Sequence, residues 1–108
     1  LDQDKYIIEF DLKGNCNYAF TLLLRHADPQ LCYRVMNALD KNKIEYRRGM
    51  SGGGNQLRQP YLKSTIGQVD LTQYPNVEHV HFYGFYIGNY PIIKEESIRT
   101  LCNLLNSL

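Results

Sequence analysis

Apolar positions along the chain fall into short bursts with two kinds of spacing. Tyr6, Ile7, Ile8 and Phe10 crowd around a single charge, Glu9, and Lys13-Gly14-Asn15 follows as a turn. That pattern predicts a short strand over 6–10. Tyr18-Ala19-Phe20-Thr21-Leu22-Leu23-Leu24 is an almost unbroken apolar run of strand length. Runs of this kind belong to strands covered on both faces, so 18–24 is the expected central strand, although a buried helix would carry the same run. After Asp28-Pro29 the spacing changes. Leu31, Val35, Ala38 and Leu39 stand at i, i+4, i+7 and i+8, one face of a helix from about Asp28 to Lys41. Asp28 is its expected cap, Pro29 suits the first helical position, and Asn42 is a plausible stop.

Alternation returns at Ile44-Glu45-Tyr46-Arg47-Arg48, a strand with Ile44 and Tyr46 inward. Pro60 to Ser64 has room for one helical turn, and Thr65 to Tyr74 has no period. Pro75 opens a second helix reaching about Phe82, with Val77 and Val80 expected inward. Gly84-Phe85-Tyr86-Ile87-Gly88 reads as a strand ended by Asn89 and Pro91. The last helix runs from about Lys94 to Leu108. Ile98, Leu101, Cys102, Leu105 and Leu108 form its apolar stripe, and Glu95 and Glu96 suit its positive N-terminal end. Strands and helices in this order imply an α/β two-layer sandwich, a mostly antiparallel sheet with helices on one face. Residues 1–108 fit one domain.

Composition narrows the classes. The chain is 44% hydrophobic and 21% charged, as ordinary folded chains are. A net charge of +1 argues against a general nucleic-acid binder, since phosphate-tracking proteins carry a clear basic excess. No apolar run approaches the length of a membrane span, so no membrane partner is expected. The chain opens on Leu1, and the expectation is a piece of a longer protein. Cys16, Cys32 and Cys102 have no metal or disulfide spacing, and free thiols suit a cytoplasmic location. Nine tyrosines and no tryptophan imply several half-buried rings with the hydroxyl in water.

The segment with the most chemistry is Gly49-Met50-Ser51-Gly52-Gly53-Gly54-Asn55-Gln56-Leu57-Arg58-Gln59-Pro60. Glycine permits positive φ and close approach of the backbone to a ligand. Arg47, Arg48 and Arg58 flank it, and such a loop can hold a diphosphate or a sugar hydroxyl. A plain solvent-exposed connection is the equal alternative. The segment has neither the Lys-Ser/Thr ending of a P-loop nor the glycine spacing of a dinucleotide-binding turn. His79-Val80-His81 lacks a third metal ligand apart from Glu78, and on a helix the two rings diverge by about 200°. Ordinary surface or interface histidines are expected. Tyr83-Gly84-Phe85-Tyr86-Ile87 is similar to one strand of RNA-recognition modules. However, Tyr83 and Tyr86 replace the basic and small residues, and an extra strand precedes the first helix.

Three stretches in order resemble a known family. Ile44-Glu45-Tyr46-Arg47-Arg48 leads into Gly53-Gly54-Asn55 and Arg58-Gln59-Pro60. Phe85-Tyr86-Ile87-Gly88-Asn89-Tyr90-Pro91 then precedes a Glu-containing amphipathic helix. From about Tyr18 to Leu108 the chain resembles the C-terminal small domain of DegT-type sugar aminotransferases, the fold-type I enzymes dependent on pyridoxal phosphate. The Gly-Asn-x-x-Arg-Gln-Pro form is most similar to the branch with the nucleotide-sugar 3-dehydratases, which use pyridoxamine phosphate. The chain departs from the pattern in the glycines before Asn55, and in Lys94 where Thr or Ser is a common cap.

The resemblance implies a substrate-closing domain for deoxy- or amino-sugar synthesis in cell-surface polysaccharide. Its substrate would be a nucleotide sugar, and its partners its own large domain and a second copy in a homodimer. The cofactor, pyridoxal or pyridoxamine phosphate, would be held mainly by the large domain, and no catalytic residue is expected in these 108 residues. Asn55, Arg58 and Gln59 would be substrate-side residues, with Arg48 a helper. The alternative is a free-standing binding or protein-interaction domain that uses the 49–60 loop.

Overall fold

The computed structural model describes residues 1–51 and 54–108. Three strands form an open antiparallel sheet: β1 (Ala19–Leu23), β2 (Tyr46–Arg47) and β3 (Gly84–Gly88), in the order β1-β3-β2. Four helices accompany them: α1 (Pro29–Lys41), α2 (Pro60–Ile66), α3 (Pro75–Tyr83) and α4 (Glu95–Asn106). This is the expected α/β sandwich. Phe20, Leu22, Phe85, Ile87 and Tyr46 share one face of the sheet, because Leu22 pairs with Phe85 and Ile87 pairs with both Phe20 and Tyr46. Against that face α1 packs Leu31, Cys32, Val35 and Leu39, and α4 packs Leu101 and Leu105. Among the described residues, no helix is long and apolar enough to cross a membrane.

α1 forms where its caps place it. The Asp28 carboxylate accepts from the N–H groups of Gln30 and Leu31, each at 2.9 Å, so two orphan donors of the first turn are satisfied. The other end is a Schellman motif. The Ile44 N–H donates to Leu39 O at 2.9 Å and the Lys43 N–H to Asp40 O at 3.0 Å. Lys43 occupies the left-handed position of that motif, with φ 55°. A side chain there is strained by about 1–2 kcal/mol. Lys43→Gly relieves the strain but enlarges the entropy of the unfolded chain. A net gain of about 0.5–1 kcal/mol is expected. Urea unfolding checks it, and an unchanged midpoint would contradict the strain.

The structure corrects several expectations. The segment 6–10 is not a strand: Tyr6 alone bridges to Leu24, because Ile8 and Phe10 find no sheet neighbour and remain exposed. Strand β1 is an edge strand, and β3 lies in the centre. Thr21 on β1 faces outward and is exposed, so the long apolar run did not signal cover on both faces. The strand expected over 44–48 shortens to Tyr46–Arg47, since Ile44 is spent closing the helix. A 3₁₀ turn, Leu71–Gln73 with Asp70 as cap, interrupts the stretch expected to be irregular. On α3, Val77 and Val80 are exposed, at 43% and 39%, and His81 points inward instead. Lys94 caps α4 without a side-chain bond, as its departure from the Ser/Thr pattern implies.

Candidate functional site

The loop between β2 and α2 is fastened to α3 by a small polar cluster. Gly49 has φ +52°, a left-handed turn that favours glycine. Its carbonyl accepts the Gly54 N–H at 2.9 Å, which closes the loop on itself. The intervening Gly52 and Gly53 lie outside the described residues. A Cβ on Gly54 would stand 2.4 Å from His81 Nδ1 and 2.5 Å from Gly49 O, so only glycine fits there. The next residue, Asn55, is 1% exposed. Its N–H donates to His81 Nδ1 at 3.0 Å, and its Oδ1 accepts the Leu57 N–H at 2.9 Å. Its Nδ2 donates to Glu78 Oε1 at 2.6 Å. Every polar atom of that side chain therefore has a protein partner.

Arg58 meets the same carboxylate. Its Nε donates to Glu78 Oε1 at 2.9 Å and its Nη2 to Oε2 at 2.5 Å, a bidentate pair. The guanidinium also lies over the Phe82 ring, 4.8 Å from the centroid. Glu78 engages only the Nε–Nη2 edge. The end-on edge, Nη1 with the second Nη2 hydrogen, makes no hydrogen bond among the described residues, and it matches the width of a phosphate or carboxylate. Glu78 is thus the hub that holds both Asn55 and Arg58. Asp70, another carboxylate, caps the turn at Leu71–Gln73 by accepting from Thr72.

The other two sequence-selected residues do not join this cluster. Gln59 has φ −71° and ψ 132°, the extended conformation that Pro60 imposes, and it separates the 3₁₀ turn Gln56–Arg58 from α2. Arg48 turns into the domain. It donates to the Phe82 carbonyl and to Met36 Sδ, and stacks 5.0 Å from the Phe85 centroid. His81, expected as a surface or interface histidine, is buried and holds the loop. His79, on a different face of α3, pairs through Nε2 with Leu24 O at 2.7 Å. A signal for the hub was present in the sequence, because Glu78, His81 and Phe82 fall at i, i+3 and i+4, one face of a helix.

The electrostatics follow from this packing. The Arg58 hydrogen bonds pull the Glu78 carboxyl down to about 2 from 4.5, helped by Asn55 and opposed by burial. Burial, then the Arg58 and Arg48 charges, pushes His81 below its ordinary 6.5, with Glu78 opposing. Both shifts have one sign for stability: the unfolded chain binds more protons, so stability falls as pH falls. His81 contributes fully above 6.5 and its contribution declines below that value. Glu78 contributes fully above 4.5 and its contribution is lost as pH approaches 2. The melting temperature should therefore start to fall below about pH 6.5, and His81→Gln should remove that first phase. Melting curves across the acid range check it; a flat profile from about pH 7 to 5 would contradict it.

The lysines test the site for a Schiff base. Lys13, Lys41, Lys43, Lys63 and Lys94 are exposed. Lys5 is half-buried, with Nζ on Asn106 O at 2.7 Å and paired to Asp2. A Schiff-base lysine needs a desolvated or electropositive pocket. None of these six side chains is buried.

No family model and no curated protein matches the sequence. Solved structures match its fold. One is the E. coli GDP-4-keto-6-deoxy-D-mannose-3-dehydratase with bound hydrated PLP, at TM-score 0.72 and 17% identity, over 96% of this chain and 26% of that one. Another is a GDP-4-keto-6-deoxymannose-3-dehydratase with a trapped PLP-glutamate geminal diamine. It matches at TM-score 0.66 and 19% identity, over 82% of this chain and 22% of that one. The chain has the fold of part of these dehydratases. It spans about a quarter of their length.

Proposed function

We propose that the chain is the substrate-closing small domain of a nucleotide-sugar enzyme that depends on pyridoxal or pyridoxamine phosphate. The fold match over 96% of the chain to a GDP-sugar 3-dehydratase carries this reading. The parent acts as a 3-dehydratase or as an aminotransferase, as a homodimer, in deoxy- or amino-sugar synthesis. The cofactor supplies electron withdrawal from the sugar and is assigned to the large domain, since no lysine of this chain is buried. The task of this chain is to place a cation and backbone N–H groups over the substrate and to shut out water. Arg58 is the group for the job. Glu78 fixes one edge of its guanidinium, so the other edge needs no further ordering to take a phosphate.

Arg58→Lys in the parent enzyme tests the assignment. Lysine keeps the charge but cannot hold Glu78 and a phosphate at once in planar geometry. The expected result is a substrate KM raised about tenfold or more, with cofactor absorbance unchanged. Unchanged KM with intact kcat would remove Arg58 from the site. A lowered melting temperature with unchanged kinetics would make its pair with Glu78 purely structural.

A further inference from the structure

A concave surface is lined by β2 and its neighbours. It is an open groove of about 1040 Å³ that starts at Arg48 and Ser51, the first limb of the glycine loop, and runs to the ends of β1 and β3. Its distal wall is aromatic. Tyr18, 82% exposed, and Tyr86 lie with ring centroids 6.0 Å apart, tilted by 54°. Tyr90 folds back over Gly88: a Cβ on that glycine would stand 2.8 Å from the Tyr90 hydroxyl oxygen. Gly88 pairs with Ala19 across the sheet, so two minimal side chains leave room for the three rings. Asn89 Nδ2 donates to Asn17 O at 2.8 Å and ties the exit of β3 to the entry of β1. This wall is therefore braced on both strands.

The groove also has cations. Arg47 stands opposite Tyr86 in the β2–β3 register and is exposed. Lys43 lines the same groove from the left-handed turn after α1. Neither makes an ion pair among the described residues, whereas Arg48 is engaged with Met36 and Phe82. Asp40 and Glu45 supply carboxylate acceptors in the lining. Exposed aromatic faces beside free cations match a base and its phosphates, because any base can stack on tyrosine and phosphate is attracted to arginine. Carboxylates accept from a base that offers N–H donors, as guanine does.

We infer that the Tyr18–Tyr86–Tyr90 groove binds the nucleoside diphosphate of the substrate, with the base on the tyrosines and the diphosphate toward Arg47. The inference deepens the proposed function and rests on it. The groove begins where the loop begins, so a ligand lying along it passes Arg47 and leads its sugar-linked phosphate and sugar toward the loop that holds Arg58.

GDP titrated into the full chain tests the groove, read by amide chemical shifts and calorimetry. The expected shifts fall at Tyr18, Tyr86 and Asn89. Tyr18→Ala and Arg47→Ala alter exposed residues, and circular dichroism verifies their folding. Each should weaken GDP about tenfold. Guanosine alone should depend on Tyr18 and not on Arg47, and pyrophosphate the reverse. No groove shifts at millimolar GDP, or affinities unchanged in both variants, would overturn the groove. Shifts confined to Asn55–Gln59 would overturn it while leaving the loop reading intact. Groove binding together with wild-type kinetics for Arg58→Lys would support the groove and remove the loop assignment.

Discussion

Tyr6→Ala is expected to destabilise the chain by about 3–5 kcal/mol, the usual cost of deleting a large aromatic side chain from a core. Tyr6 is 0% exposed, although most of the segment that follows it is open to solvent. Its ring joins the cluster of β1, α1, β3 and α4, and its hydroxyl donates to Leu105 O at 2.8 Å. The residue thus pins the N-terminal segment to the last turns of α4. A chain of this size should lose roughly 12 °C or more in Tm. Tyr6→Phe keeps the ring and removes only the hydrogen bond, so about 0.5–1.5 kcal/mol is expected. Burial pushes the phenol up to about 12 from 10.0, with Asp2 adding to the shift. A raised folded value means that this contribution is complete below pH 10 and lost as pH rises toward 12. Equal melting temperatures for the Ala and Phe variants would show that the ring is not part of the core.

Asn55→Ala is expected to cost about 2–4 kcal/mol, since a bond to a charged group contributes about 1.5–3 and a neutral one about 1. The loss comes from two bonds made by a buried side chain, to Glu78 and to the Leu57 N–H. The effect extends beyond stability. Without Asn55 the Glu78 carboxylate keeps only Arg58 as a side-chain donor, and the loop is held to it by one side chain instead of two. Substrate KM in the parent enzyme should rise together with the fall in Tm. Asn55→Asp places a second carboxylate against Glu78 and should be at least as damaging. A Tm within a degree of wild type for both variants would mean that the cluster does not hold the loop.

Much of this architecture was legible from local chemistry. The bounds of α1 follow from Asp28, Pro29 and Asn42, which are caps whatever the tertiary context. The stripe of α4 and the strand at 84–88 likewise follow from spacing. What failed depended on distant partners. Residues 6–10 have strand composition, but only Tyr6 meets a neighbour. Which strand is central depends on pairings across the sheet, and an apolar run does not encode them. On α3 the inward face is polar. Hydrophobic spacing selected Val77 and Val80, while Glu78 and His81 are held inward by hydrogen bonds to residues more than twenty positions earlier. The candidate site shows the same division. The resemblance selected Asn55 and Arg58, which the fold brings onto one carboxylate. It gave no hint of Glu78, because the pairing of Arg58 with that residue spans twenty positions of chain. Arg48, which the resemblance made a helper to Arg58, is claimed instead by the sulfur of Met36 and the carbonyl of Phe82.

Closure over substrate is the central claim, and hydrogen exchange in the parent enzyme measures it directly. The amides of Gly49 to Ser51 and of Asn55 to Gln59 are followed with and without saturating nucleotide sugar. If this domain closes on the substrate through the loop, exchange at those amides slows about tenfold or more on binding, and Arg58→Lys reduces the effect. Unchanged exchange across the loop, in an enzyme shown by activity to be saturated, would contradict the account.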